Sequence, residues 1–231
     1  MTANKEHTSV WLIIPQTNLH VGNESIVNFS VIDKAIQRDV TTGLPCINSS
    51  SLKGAIKEYF ERKKSGKIKE LFGSTKADKN NSQKGSALFF DATLLAIPEQ
   101  KINGDSPYKQ VYDKGTVKSF VDKAAMLGAD ITEEKILKKI EKKEQKSFDY
   151  FKELCSDDNL PIIARNCLEN GESTNLWYEQ VLPSQSVLAT VIQTNNANDM
   201  KMLEMLEEKD AIVQIGANAT IGYGYCKFIK L

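Results

Sequence analysis

Several ingredients are scarce in this chain of 231 residues, and each scarcity excludes something. Histidine occurs only at positions 7 and 20, and the four cysteines, at 46, 155, 167 and 226, form no CxxC pair. Structural zinc sites draw their ligands from closely spaced Cys and His pairs, so that class is set aside and the cysteines are read as reduced. No run of 18 apolar residues exists, which excludes a transmembrane helix of ordinary length. The opening MTANKEHTSVW lacks the apolar stretch of a signal peptide, and a cytoplasmic location is expected. Formal net charge is zero, from 30 basic and 30 acidic residues, which on its own argues against a nucleic-acid binder.

The charge is unevenly spread, however. Residues 51–70, SLKGAIKEYFERKKSGKIKE, hold seven Lys or Arg against Glu58, Glu61 and Glu70. Such a run is a solvated helix face in most proteins, yet a neutral protein can still carry one basic surface. Helical spacing of Leu52, Ile56, Tyr59 and Phe60 predicts a helix over 51–64, with Ser49, Ser50 and Ser51 as candidate caps. The unpaired N–H groups at its start, the serine hydroxyls and Lys53 together read either as an anion site or as a well-capped helix without a ligand. Gly54 costs a helix interior roughly 1 kcal/mol against alanine, and close approach of another backbone would explain it. Lys57 continues the basic face.

Strands are expected over 8–14, 87–97 (ended by Pro98), 186–193, 211–215 and 225–230. A second helix is expected over 197–208. PIIAR (161–165) and NLWYEQVL (175–182) bracket the turn-rich NCLENGEST, a hairpin signature. Residues 16–47 read as a long loop with short strands, and 75–86 as a polar loop. The stretch of about 99–160 reads as an insertion, with a helix over 115–128 and a charged segment over 133–146. Without loops and insertion the order is β-α-β twice, the ferredoxin-like pattern, within one elaborated domain spanning 1–231.

Three stretches could carry chemistry. LHVG (19–22) offers His20 as an acid or base, or as a satisfied structural histidine. VIDKAIQRDVTTGLP (31–45) offers Asp33 and Arg38. GANATIGYGYC (216–226) has glycines that permit positive φ and close backbone approach, and it reads as a hairpin turn or as a loop against RNA. Read alone, one aspartate is a thin basis for catalysis.

Taken in order, LHVG, IDKAIQRDVTTGLP, SSSLKG and GANATIGYGYC resemble the RAMP superfamily of CRISPR proteins. Within it the IDxxIQRD stretch is most similar to the backbone subunit of type III-B (Cmr) effector complexes, with the Csm backbone subunit as near relative. The resemblance is densest over 9–60 and thinner over 86–97, 161–193 and 211–228. It implies an α+β, ferredoxin-like (RRM-like) palm with a β-hairpin thumb at about 161–183 and a largely helical insertion. It also implies copies stacked along a CRISPR guide RNA with other subunits, cutting bound target RNA at regular intervals. Asp33 matches the family's cutting residue and would hold Mg²⁺ or another divalent cation. His20 is a less favoured catalytic candidate, in metal-free processing of a precursor RNA. RNA contacts fall on Gly22, Arg38, Ser49, Ser50, Ser51, Lys53, Gly54, Lys57, Arg165, Asn166, Gly222, Tyr223 and Gly224. A non-catalytic scaffold of the same build is the alternative. The family's Pro-Gly before the Ser-Ser-Leu-Lys-Gly run is Asn48-Ser49 here, and a basic residue usual between its last glycines is Tyr223.

Overall fold

The structure is a computed structural model that describes residues 7–22, 32–74 and 83–231. The N-terminal stretch 1–6, residues 23–31 of the long loop and 75–82 of the polar loop lie outside the described residues. The strands are β1 (Thr8–Pro15), β2 (Cys46–Ile47), β3 (Leu88–Phe89), β4 (Ala92–Gln100), β5 (Tyr108–Asp113), β6 (Lys143–Lys146), β7 (Ile162–Glu169), β8 (Glu172–Gln180), β9 (Val187–Gln193), β10 (Val213–Gln214) and β11 (Tyr225–Lys230). The α-helices are α1 (Ser49–Arg62), α2 (Ile68–Phe72), α3 (Lys114–Met126), α4 (Glu133–Leu137), α5 (Phe148–Leu154) and α6 (Ala197–Leu203).

Strands β11, β1, β9 and β4 lie side by side, each antiparallel to its neighbour, with α1 and α6 in the two crossovers. This is the ferredoxin-like order, and it defines the palm. β1 alternates with period two. Trp11 and Ile13 face a core shared with Leu52, Ile56 and Phe60 of α1 and Leu203 of α6. Val10 and Leu12 face a second core on the other side of the sheet, built with Val117 and Phe120 of α3 and Ile136 of α4.

The insertion expected over about 99–160 supplies that second core. Helices occur in it as expected, and it adds β5 beside β4 and β6 parallel to β5. The charged segment over 133–146 makes α4 and then β6. Glu144 of β6 is held by Lys146 and Lys109, whose hydrogen bonds pull its carboxyl down to about 2.

Two other boundaries differ from the sequence expectation. Pro98 does not end β4; it pairs with Gln110 and the strand runs to Gln100. Past Ala96 this strand has lost its β9 neighbour, so the missing proline N–H interrupts no ladder. The expected strand over 87–97 is broken at Phe90 and Asp91, where the chain turns toward the start of α1. The helix expected over 197–208 is α-helical to Leu203 and then tightens to a 3₁₀ turn over Glu204–Glu207.

The expected hairpin is present: among the named strands β7 and β8 pair only with each other, and most of their side chains are exposed. Its turn is Asn170-Gly171, both at positive φ (52° and 87°), the two-residue geometry that suits strand twist.

Candidate nucleic-acid interface

Asp33 sits at the foot of the hairpin. The backbone N–H of Tyr178 donates to its Oδ2 at 2.7 Å, and the N–H groups of Asp33 and Lys34 donate to the Tyr178 carbonyl. Lys34 bridges in parallel to Glu179, so residues 33–34 run as a short third strand against β8. The carboxylate is exposed yet held in direction by one charge-assisted hydrogen bond. Among the described residues, no cluster of three His, Cys, Asp or Glu could hold a metal ion. The single exposed carboxylate of Asp33 could supply one ligand to a hard cation such as Mg²⁺, which takes the rest of its shell from water and phosphate.

Behind Asp33, buried Gln37 joins all the motifs of the N-terminal half. Its amide donates to the Gly22 carbonyl (3.2 Å) and to Ser51 Oγ (3.1 Å), and its Oε1 accepts from the Asn48 N–H (2.8 Å). The sequence gives no sign of it, because nothing about a glutamine in a loop announces three partners on two other segments.

The start of α1 departs from expectation. The N-cap is Asn48 rather than a serine, and it makes no side-chain cap. The Ser49 N–H donates instead to Asp91 Oδ1 at 2.6 Å. A carboxylate thus already occupies part of the expected anion site, leaving exposed Ser50 and half-buried Ser51 and Lys53 as its open side. Each glutamate in the basic run has a partner there: Lys57–Glu61 at 3.7 Å, Arg62–Glu58, and Lys67–Glu70 at 3.9 Å. Gly54 is exposed, and a Cβ there would meet nothing within 4 Å among the described residues, so no described backbone explains it.

Arg38 pairs with neither Asp39 nor open solvent. Its guanidinium donates to the Gly43 and Cys155 carbonyls (2.9 and 2.8 Å) and to Asp157 Oδ1 (2.7 Å). Burial works against ionisation of Asp157, but hydrogen bonds from Gln180 and Arg38, with the charge of Arg38, hold its carboxyl below its ordinary value. Arg38 therefore clamps the loop to the segment just past α5. Asp39 caps its own Thr41-Thr42 turn.

His20 is 3% exposed, which removes it from contact with any substrate in this arrangement. A carbonyl only accepts, so Nδ1 carries a hydrogen and donates to Gln180 O at 2.7 Å, while Nε2 faces Glu179 Oε1 at 3.5 Å. Buried Glu179 also accepts from the Asn218 amide at both oxygens, 2.8 Å each. The foot of the hairpin is thereby tied to the glycine loop. That loop approaches closely: a Cβ on Gly216 would collide with the His20 carbonyl, and one on Gly224 with the Ile215 carbonyl. Gly222, also at positive φ, has open space around it. Arg165 of β7 lies over the ring of Tyr223, 5.7 Å from its centroid, so the hairpin and the glycine loop meet. Asn166 is exposed and accepts from Ser173 across the hairpin.

The family model of the RAMP superfamily matches residues 13–227. The chain belongs to the RAMP superfamily. This RAMP chain is 26% identical to the CRISPR system Cmr endoribonuclease Cmr4 of Pyrococcus furiosus, with 91% of each covered. It is 36% identical over 86 residues to the CRISPR system CMR subunit Cmr4 of Saccharolobus solfataricus, covering 37% of this chain and 27% of that one. Among solved structures, a chain of the apo type III-B Cmr-beta complex superposes with a TM-score of 0.77 at 20% identity, 98% of each covered. Oligomeric Cmr4 from Pyrococcus furiosus superposes with a TM-score of 0.70, also at 20% identity and 98% coverage of each. These superpositions establish a shared RAMP fold. No helix among the described residues is long and apolar enough to cross a membrane.

Proposed function

We propose that this RAMP chain is a backbone subunit of a type III-B CRISPR effector complex. It binds guide RNA, stacks with copies of itself and with other subunits in the cytoplasm, and cuts guide-paired target RNA through Asp33. One observation carries the reading: an exposed carboxylate is aimed by the Tyr178 N–H at the foot of a protruding hairpin. The similarity to Cmr4 proteins over nearly the whole chain supports it.

Cleavage of this kind aligns a ribose 2′-OH with the neighbouring phosphate. The protein supplies orientation, and a hairpin wedged against the strand constrains the in-line geometry. Asp33 is the residue that would hold a divalent cation, whose chemistry is neutralisation of phosphate charge. Contacts to phosphate and 2′-OH suit Ser50, Ser51, Lys53 and the Gly222–Gly224 loop, and they read no sequence.

A scaffold-only reading is favoured by the same hydrogen bond, since it also fastens the loop to the hairpin. Asp33→Asn separates the two. With matched target RNA in the assembled complex, and with Mg²⁺ present, the wild type should give a ladder of evenly spaced cuts. The variant should load guide equally well and cut roughly 100-fold slower or less. Equal cutting by wild type and variant would remove Asp33 from the chemistry.

A further inference from the structure

On the side of the sheet away from α1, a cleft of about 230 Å³ opens at the margin of the second core. It shares no residue with the interface around Asp33. Its apolar wall comes from Ile14, Val187 and Ile229 of the sheet and from Ile140 just past α4. Gln110 of β5 also lines it and is 5% exposed. The Gln110 amide nitrogen donates to the Gln185 carbonyl at 2.6 Å, while its Oε1 has no hydrogen-bond partner among the described residues. A buried carbonyl without a donor is rare in a folded protein, and here a donor from outside the chain would complete it. In the same lining, exposed Lys142 holds Nζ 5.5 Å from the centroid of the Tyr108 ring, and Lys139 is exposed as well. Against these two lysines the cleft has one acid, Glu141.

We propose that this cleft binds a purine nucleoside monophosphate. The lining calls for an apolar body, an N–H donor and an anionic end, and that ligand carries all three. Its base covers the aliphatic wall more fully than a pyrimidine would. A ring or exocyclic N–H of the base donates to Gln110 Oε1, which the chain leaves unpaired. The phosphate takes Lys139 and Lys142. Lys142 gives up the Tyr108 ring face for a stronger, charge-assisted partner. The cleft is smaller than the pockets that enclose drug-sized ligands, so ribose and phosphate stand at its mouth. The site asks nothing of Asp33, and it stands or falls apart from the proposed function.

The full-length protein is titrated by calorimetry with AMP, GMP and UMP, and with adenosine, guanosine and ribose 5-phosphate. AMP or GMP should bind, with UMP, the matching nucleoside and ribose 5-phosphate each about tenfold weaker or worse. Lys139→Met, at an exposed position, should keep the wild-type melting temperature, weaken the bound monophosphate about tenfold and leave its nucleoside unchanged. Gln110→Met removes the buried acceptor and should weaken monophosphate and nucleoside alike, about tenfold, with a thermal melt confirming that the variant folds. No binding of AMP or GMP, UMP binding as tightly, or wild-type affinity in Lys139→Met would overturn the site. A folded Gln110→Met with wild-type affinity would do the same, since the orphaned oxygen would then serve only a buried water. Displacement of the bound monophosphate by a guide-length single-stranded RNA would give the cleft to the RNA path and likewise overturn it.

Discussion

Of the side chains around the hairpin foot, some touch solvent and some only touch one another, and the two groups answer to different tests. Glu179 and His20 belong to the second group. Removing Glu179 takes both acceptors from the half-buried Asn218 amide and empties the buried space beside the His20 ring, at about 1–3 kcal/mol per lost partner. Glu179→Ala should therefore destabilise the chain by about 3 kcal/mol in urea unfolding. RNA affinity should fall as well, because the glycine loop loses its tie to the thumb. Asp33→Asn should change neither by a comparable amount. Asp33, Arg165 and Tyr223 were legible as candidates in the sequence, because the motifs and the hairpin signature that hold them occur in a fixed order. Gln37, Glu179 and Asn218 were not. Their partners lie on other segments of the chain, and residue type alone carries no trace of such a pairing. Arg38 was legible as a candidate cation, but its acceptor Asp157, 119 residues away, was not.

At the scale of elements, α1 is the informative case. Its apolar face could be read directly from spacing, and its buried residues are Leu52, Ile56, Tyr59 and Phe60 as expected. Its start could not, because Asp91 comes from the break between β3 and β4. Gly54 separates structure from function within one helix. With no neighbour inside the chain, Gly54→Ala should stabilise the isolated protein by about 1 kcal/mol through helix propensity alone. If RNA lies against this turn, as the proposed function holds, the same methyl should weaken guide binding. A thermal melt and a binding isotherm on one variant check both. Loss of stability would mean that the helix is not seated as described, and unchanged binding would move the guide away from this turn.

The whole molecule is a sheet covered on both faces, and this too left a mark in the sequence. TSVWLII is apolar at consecutive positions rather than alternating, the pattern of a strand buried on both sides. The ferredoxin-like order accounts for helices on one side only, so the second cover had to come from residues 101–160. Replacing that segment with a short linker should bare Val10, Leu12, Leu95 and Val191. The shortened protein should bind a hydrophobic dye and precipitate, scored by dye fluorescence and by the soluble fraction on expression. A soluble, cooperatively folding product would show that the second core is dispensable. The sheet order has a further consequence, in time rather than space. Both strands that flank β1 are made late: Ser9 meets Ile192, 183 residues downstream, and Trp11 waits still longer for Lys230. At about 5–20 residues per second on the ribosome, β1 stays without either neighbour for roughly ten seconds or more. A nascent chain of this kind offers its most apolar strand to chaperones, or to other nascent copies, before its own sheet can take it.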